Sequence, residues 1–220
     1  MRKITAITAQ KKNPNRVNIS LDGEFAFGLS RITAAWLRTG QELSDEKIAA
    51  LQNEDGREVA FGLALRFLGY RARSVKEVRE NLEKHEISEP VIEEVLKRLQ
   101  ETNLLNDEQF AQAWVENRNS FRPRSRRALA LELRQKGLDD EVVQETLNKN
   151  VDENTLALEA ARKYLHKVRQ LDWPGFRQKL GGFLGRRGFS YGVVAPVLRQ
   201  LWSEIHGDAG PYTLDDEDVL

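Results

Sequence analysis

The 220-residue sequence contains no cysteine. Disulfide bonds, thiolate nucleophiles and cysteine-ligated zinc or iron–sulfur sites are therefore excluded, which fits a reducing compartment. Long apolar runs are also missing: no stretch approaches the ~18 apolar residues of a membrane span, and the polar start from Met1 to Thr5 is unlike a secretory signal. We therefore expect a cytoplasmic protein with no membrane partner.

Residues that carry catalysis in other proteins are scattered here. His85, His166 and His206 lie far apart and have no histidine or carboxylate partner at metal-ligand spacing. The glycine-rich segment 180–188 superficially resembles a phosphate-binding loop, but such a loop follows a strand and opens a helix, whereas this segment is predicted to end a helix. We therefore predict a protein that is not an enzyme and has no catalytic residues, metal site or cofactor.

Proline and glycine are few, at 6 and 15 residues, while 40% of the residues are apolar and 31% are charged, which favours a helix-rich globular protein. The net charge is zero, but the charges are segregated along the chain. Residues 118–136 carry seven bases and one acid, residues 139–159 seven acids and one base, and residues 162–199 nine bases and one acid. Such segregation predicts faces of opposite sign and partners that recognise charge.

Apolar residues recur at an interval of 51 residues, twice in succession. The aligned sets are Val78, Leu129 and Leu180; Leu82, Leu133 and Leu184; Ile87, Leu138 and Phe189; Val91, Val142 and Val193; Ile92, Val143 and Val194; and Leu96, Leu147 and Leu198. Many of these positions also follow the three- and four-residue spacing of an amphipathic helix. The pattern predicts three tandem repeats, because aligned anchors over two successive shifts are hard to obtain by chance.

Helix-capping residues recur at the same interval. Three residues whose side chains can accept a hydrogen bond at a helix start are 51 residues apart, namely Ser88, Asp139 and Ser190. Gly137 and Gly188 precede the third apolar anchor, where a left-handed residue ends a helix. The segment from Ser74 to Glu77 has the sequence of a capping box. Each repeat is thus predicted to be helix, loop, helix, tight turn, helix.

The predicted fold is mainly α. Three tandem three-helix repeats in an elongated array are expected at residues 57–105, 107–151 and 153–206, preceded by a small antiparallel sheet within residues 1–55. Alternating apolar residues predict strands at 4–10, 16–22 and 24–30, and Asp22-Gly23 predicts a two-residue hairpin. Short helices are predicted at 32–37 and 45–52. The acidic tail, residues 207–220, is predicted to be disordered or held by charge.

Two loops that precede a second helix combine an aromatic residue with alternating arginines. Repeat 2 has Asn119-Ser120-Phe121-Arg122-Pro123-Arg124-Ser125-Arg126-Arg127, and repeat 1 has Gly69-Tyr70-Arg71-Ala72-Arg73-Ser74 at the same place. Cations at a helix N-terminus oppose the macrodipole, so helix stability does not explain them. A bound anion would, since phosphates or an acidic protein face suit arginine forks beside free N–H groups. The alternative is a solvated basic surface neutralised by the acidic stretches of the same chain.

Several motifs resemble the RecX family. They are Leu65-Arg66-Phe67-Leu68 with Arg73-Ser74-Val75-Lys76-Glu77-Val78, the run from Leu104 to Val115, and Glu132-Leu133-Arg134-Gln135-Lys136-Gly137-Leu138. The resemblance covers residues 57–200 and is most specific in the middle repeat, while the N-terminal strands look like an extension that some members carry. The chain departs from the family pattern at Arg122-Pro123-Arg124, where a glycine is more usual, and in its glycine-rich third repeat.

The resemblance implies a non-catalytic regulator that binds in the groove of the RecA–DNA filament, slows its extension and promotes its disassembly, with a role in recombination, DNA repair and the SOS response. We expect a monomer whose partners are the RecA filament and the phosphates of single- or double-stranded DNA. Basic residues are predicted to contact either DNA or an acidic RecA surface: Arg71, Arg73, Arg122, Arg124, Arg126, Arg127, Arg134, Lys136, Arg177, Lys179, Arg186 and Arg187. Two alternatives are a direct DNA-binding helical regulator and a non-catalytic helical scaffold.

Overall fold

A computed structural model of the chain describes residues 1–207. Contacts divide the chain into two units, Met1–Asn106 and Asp107–Leu220. Within the described residues, the first unit holds a β-sheet and three α-helices and the second holds six α-helices, so the fold is mainly α as predicted. No helix in this part of the chain is long and apolar enough to cross a bilayer. The predicted disorder of the tail falls, beyond Gly207, outside the described residues.

The sheet of the first unit has four antiparallel strands in the order β3-β2-β1-β4. The strands are β1 (Arg2–Gln10), β2 (Asn13–Leu21), β3 (Glu24–Ser30) and β4 (Glu42–Leu43). Alternate residues of β2, namely Val17, Ile19 and Leu21, are buried, as expected for a sheet with one covered face. Asp22 and Gly23 have φ angles of 52° and 95°, which confirms the predicted two-residue hairpin.

Helix α1 (Asp45–Leu68) corrects the predicted short helix at 45–52, which is only its first part. The helix continues through Gly56 because one interior glycine costs a helix only about 1 kcal/mol relative to alanine. Leu51 lies in the core of the sheet, whereas Ala60 and Ala64 lie in the core of the first repeat. One helix therefore contributes to two cores.

Asp55, near the middle of α1, fixes this helix on the sheet. Its side chain is only 9% exposed, and Oδ2 lies 2.7 Å from Nη2 of Arg16 on β2. The other oxygen, Oδ1, accepts a hydrogen bond of 2.5 Å from the backbone N–H of Ser30 at the end of β3. Both carboxylate oxygens thus have partners, as a buried charge requires.

Residues 31–36 form turns and not the predicted helix at 32–37. The hydroxyl of Ser30 accepts a hydrogen bond of 3.0 Å from the N–H of Thr33, and the two hydroxyls lie 2.9 Å apart. These side chains satisfy backbone groups that a helix would pair within itself. The turns leave Ile32 and Trp36 exposed.

The remaining helices form the three repeats. In repeat 1, α1 is followed by α2 (Val75–Glu83) and α3 (Glu89–Glu101). Repeat 2 consists of α4 (Asp107–Phe121), α5 (Arg126–Gln135) and α6 (Asp140–Asn150). Repeat 3 consists of α7 (Glu153–Tyr164), a 3₁₀ turn (Leu165–Lys167), α8 (Trp173–Gly185) and α9 (Tyr191–His206). Repeats 2 and 3 share one continuous apolar core.

Burial of the repeated anchors confirms the 51-residue repeat. The anchors of the second helices, namely Val78, Leu129, Leu180, Leu82, Leu133 and Leu184, are all 0% exposed. The third-helix positions agree as well: Ile92, Val143 and Val194 are buried, and Val91, Val142 and Val193 are half-buried. Equivalent residues therefore pack in the same way in each repeat.

The capping residues lie at the predicted helix starts, but not all of them cap through the side chain. Ser74 and Ser125 accept hydrogen bonds from Glu77 and Ala128 at the starts of α2 and α5. Ser88, Asp139 and Ser190 begin the third helices without a side-chain capping bond. The backbone carbonyls of Ser88 and Ser190 accept hydrogen bonds from the N–H groups of Val91 and Val193, three residues later. A capping serine hydroxyl would accept from an N–H group at this position.

Gly188 lies in the turn between α8 and α9 of repeat 3, and this turn packs against the start of α5 in repeat 2. Its φ is 90°, and an added Cβ would lie 2.6 Å from Oγ of Ser125 and 3.0 Å from Cβ of Ala128. The equivalent residue of repeat 1 is Glu86, at φ 59°, so a left-handed side chain is tolerated there. At Gly188 the added contact with Ser125 makes the same change more costly.

We therefore expect Gly188→Ala to lower the free energy of unfolding by about 1–3 kcal/mol, since it combines a strained backbone with a clash at the cap of α5. Urea denaturation measures the change. Gly185→Ala is the matched control, because a Cβ there meets nothing within 4 Å. Equal stability of the two variants would contradict the packing of this turn on α5.

Candidate nucleic-acid interface

One carboxylate in repeat 2 gathers three side chains. Glu132 on α5 is 14% exposed, and its Oε2 accepts hydrogen bonds of 2.8 Å from Nε1 of Trp114 and from Nε of Arg118. Its Oε1 lies 2.8 Å from Nη1 of Arg124. Arg118 also lies over the Trp114 ring, 4.5 Å from its centroid. Because one acid meets two arginines, this cluster retains a net positive charge.

Glu132→Gln is expected to lower the free energy of unfolding by about 1–2 kcal/mol, because the neutral amide accepts less strongly from Trp114 and Arg118 and offers no charge to Arg118 and Arg124. Chemical denaturation measures the loss. The control is Glu159→Gln, which removes the same charge from an exposed position on α7. A loss no larger than that of the control would show that Glu132 does not order the arginines.

Protein groups already occupy the N-terminus of α5. The hydroxyl of Ser125 accepts from the N–H of Ala128 at 3.1 Å, and a carboxylate oxygen of Glu153 accepts from the N–H of Arg126 at 3.2 Å. The guanidinium of Arg126 donates to the amide oxygen of Asn148. The chain's own Glu153 and Ser125 thus take two of the N–H groups at which an anion was predicted to bind. The neighbouring guanidinium groups remain available to an external anion.

Arg187, after α8, joins the arginine loop of repeat 2 to repeat 3. Its Nη1 donates to the carbonyl of Pro123 at 2.8 Å, and its own carbonyl accepts from the N–H of Ser125 at 3.1 Å. Burial, together with repulsion by Arg122 and Arg124, lowers the pKa of the Arg187 guanidinium. The structure therefore brings three cations from two repeats close together, and a bound anion would relieve their repulsion.

Aromatic rings support these cations. The Arg187 guanidinium lies 4.5 Å from the centroid of Phe183, which stacks on Tyr164 at 4.1 Å and an interplanar angle of 13°. Nζ of Lys167 lies 5.3 Å from the Tyr164 centroid. Nζ of Lys163 donates to the carbonyl of Ser120 at 3.1 Å, which places the ends of α4 and α7 side by side.

We call this surface the arginine–aromatic face. It comprises Phe121, Arg122, Arg124, Lys163, Tyr164, Lys167, Lys179, Phe183, Arg186 and Arg187. Phe121 is 80% exposed. Lys179 is included because it lies on α8 four residues before Phe183 and so projects to the same side of the helix. Arg186 is included because it lies at the end of α8, three residues after Phe183. Arg122, Lys179 and Arg186 are exposed, and their side chains have no ionic partner within residues 1–207.

The other predicted contact residues lie outside this face. In repeat 1, Nη1 and Nη2 of Arg71 donate to the carboxylate of Glu77, at 3.0 and 2.9 Å. The guanidinium of Arg73 lies 3.9 Å from the centroid of the Phe67 ring. In repeat 2, Arg134 bonds Asp140 at 2.6 Å, and Arg126 donates to Asn148. The remaining three are Arg127, which is exposed, Lys136, which lies near the Trp114 ring, and Arg177, which lines a groove between α8 and α9.

Sequence reasoning found Phe121 but missed the other two rings of the face. Tyr164 and Phe183 belong to different helices, and neither lies in a loop with an obvious charge pattern. One signal was present: a lysine flanks Tyr164 on each side within three residues, and Arg187 follows Phe183 by four. Aromatic residues interleaved with bases at helical spacing are typical of surfaces that stack on nucleic-acid bases.

Four family models match the chain in order. They are the regulatory protein RecX N-terminal domain at residues 2–44 and the first, second and third three-helix domains of RecX at residues 60–99, 106–147 and 152–198. The regulatory protein RecX of Bacillus subtilis (strain 168) is 38% identical over 202 residues, which cover 90% of this chain and 76% of that protein. Its counterpart in Bacillus velezensis is 36% identical over 201 residues, with the same coverage.

Solved structures agree. A crystal structure of regulatory protein RecX has a TM-score of 0.69 and 28% identity, and the match covers 90% of this chain and 98% of that one. The crystal structure of RecX from Lactobacillus salivarius has a TM-score of 0.60 and 25% identity, covering 67% of this chain and 97% of that one. With all four domains in order and relatives that match nearly its whole length, the chain belongs to the RecX family.

Proposed function

We propose that this protein restrains the RecA recombinase by binding the RecA–DNA filament, and that its arginine–aromatic face contacts single-stranded DNA. Membership of the RecX family supports a regulatory role. The observation that carries the DNA contact is the cluster of Arg122, Arg124 and Arg187, which repel one another beside the stacked rings of Phe183 and Tyr164. A phosphate between the guanidinium groups removes that repulsion.

The face suits nucleic acid better than an acidic protein surface. An acidic surface would satisfy the cations alone, whereas the exposed ring of Phe121 also offers a platform on which a base stacks, beside cations that the Phe183 and Tyr164 rings support. Each stacked base contributes about 1–3 kcal/mol in proteins of this type. Cations and rings together match the two parts of a nucleotide.

In this proposal the protein is a non-catalytic regulator. Repeats 2 and 3 share one core and present the face as a single surface. Bound along a DNA strand, that surface occupies backbone sites and hinders the addition of RecA at the filament end. Several weak contacts along the strand then add through effective concentration.

A filament-assembly assay tests the function. RecA is assembled on labelled single-stranded DNA with and without the protein, and the rate of extension is followed. Wild-type protein is expected to slow extension in proportion to its concentration. A variant with Arg122, Lys179 and Arg186 replaced by glutamine is expected to require a much higher concentration. Equal inhibition by the variant and the wild type would refute the role of the face, and no inhibition by either would refute the regulation of RecA.

A further inference from the structure

The first unit contains a cleft that the proposed function does not use. It lies between the sheet and α1 and has a volume of about 580 Å³. The lining residues belong to the start of β2, the turn after β3 and one side of α1, and include Asn15, Arg31, Ile32, Gly62 and Arg66. Cavities of this size hold a small ligand or a few side chains of a partner.

Buried polar bonds fix the walls of the cleft. Asp55 of α1 bonds both Arg16 of β2 and the N–H of Ser30, as described above. The N–H of Arg31 donates to the carbonyl of Asn15 at 2.9 Å, which ties the turn to β2. Helix, strand and turn are therefore held in one arrangement, and the cleft exists before any ligand binds.

The cleft carries positive charge that the described chain does not neutralise. Arg16 is paired with Asp55, and Glu58 is paired with Arg98 at 2.8 Å, so these charges cancel. Arg31 and Arg66 have exposed side chains with no ionic partner within residues 1–207. Two guanidinium forks therefore flank the cleft and suit carboxylates.

Aliphatic side chains lie beside these arginines. Ile32 and Val59 line the cleft and are exposed, at 76% and 37% of their surfaces. None of the described residues that line it is aromatic, so this lining lacks the stacking platform of the arginine–aromatic face. Large exposed aliphatic residues next to unpaired cations are typical of a protein-binding surface.

We infer that this cleft binds an acidic segment of a partner protein, with carboxylates on Arg31 and Arg66 and an aliphatic side chain against Ile32 and Val59. The site is separate in sequence and in chemistry from the arginine–aromatic face. It gives the N-terminal sheet a function of its own, as a docking module for an acidic peptide.

Gly62 provides a sharp test. It lines the cleft from α1, and an added Cβ meets nothing within 4 Å. Gly62→Leu therefore places a side chain at the cleft with no clash at its Cβ, and it also favours the helix. Gly56→Leu is the matched control, because Gly56 lies on the same helix, also meets nothing within 4 Å and does not line the cleft.

The binding experiment uses the full chain and a short labelled peptide in which aspartates alternate with leucines. Fluorescence anisotropy of the peptide measures its binding. Wild type and Gly56→Leu are expected to bind equally, and Gly62→Leu to bind at least about tenfold more weakly. The double variant Arg31→Gln, Arg66→Gln is expected to lose affinity to a similar extent. Because both arginines are exposed, their replacement is expected to leave the protein folded. The double variant therefore tests the inference even where the leucine variant fails to fold.

Two outcomes overturn the inference. In the first, the peptide binds Gly62→Leu and the double arginine variant as tightly as it binds wild type. In the second, wild-type protein binds a short oligonucleotide and Gly62→Leu abolishes that binding, which would assign the site to nucleic acid. Substitution of Arg122, Lys179 and Arg186 is expected to leave peptide binding unchanged, so failure of this site and failure of the arginine–aromatic face are distinguishable.

Discussion

Replacement of Arg122, Lys179 and Arg186 by glutamine is expected to weaken binding of single-stranded DNA about a hundredfold at 0.1 M salt. Each phosphate contact on a single strand contributes about 0.7 to the slope of log affinity against log salt. Three lost contacts therefore flatten the slope by about 2. If the contacts contribute nothing at 1 M salt, a tenfold dilution to 0.1 M gives the wild type an affinity about a hundredfold higher than that of the variant. A salt titration of binding measures both quantities.

Stability is expected to stay unchanged in this variant, because the three side chains are exposed and have no ionic partner in residues 1–207. Arg124, Arg126 and Arg187 are left intact, since each holds neighbouring groups in place. The matched control replaces Lys11, Lys12 and Lys84, which are equally exposed and lie in the first unit.

The control removes the same charge, so it separates contact at the face from a change in the overall field of the protein. Equal losses of DNA affinity in the two triple variants would show that the face makes no specific contact. An unchanged salt slope in the variant would show that its cations do not meet phosphates.

Leu133→Ala is expected to lower the free energy of unfolding by about 2–5 kcal/mol. Leu133 is 0% exposed and lies in the core that repeats 2 and 3 share. Its loss leaves a cavity that a small helical unit fills poorly, because neighbouring helices are held by their own anchors. Denaturant unfolding monitored by circular dichroism measures the change.

Leu82→Ala tests the same position in repeat 1, where Leu82 is also 0% exposed. A similar loss is expected, because the two residues are equivalent in the repeat. Leu131→Ala is the control: it lies on the same helix as Leu133 but is 57% exposed, so its effect should stay within about 0.5 kcal/mol. A control that costs as much as Leu133→Ala would contradict the assigned register.

Local patterns in the sequence predicted the parts of the fold that depend on neighbours along the chain. The Asp22-Gly23 hairpin, the left-handed Gly188 and the cap at Ser74 all follow from residue types within a few positions. The two-residue strand β4 was missed because so short a segment carries no alternation. The end of the predicted helix at residue 52 was wrong because burial of Leu51 and Ala60 in different cores outweighs the cost of Gly56.

The candidate site was predicted in part, and the limit is again physical. Clustered arginines at 122–127 are visible in the sequence, but their partners lie far along the chain. Arg187 meets the carbonyl of Pro123 across 64 residues, and Glu153 reaches Arg126 across 27. Such pairs depend on how repeats 2 and 3 pack, which no local pattern encodes. They decide which arginines are engaged and which remain available to a ligand.

The continuity of α1 ties the N-terminal sheet to the first repeat energetically. Every backbone hydrogen bond of a helix depends on its neighbouring turns, so the segment around Asp55 cannot open while both ends stay ordered without a large local cost. Loss of the sheet therefore frays the helix toward Ala60, and loss of the repeat frays it toward Leu51. The two cores are expected to open together, as one cooperative folding unit with shared hydrogen-exchange protection.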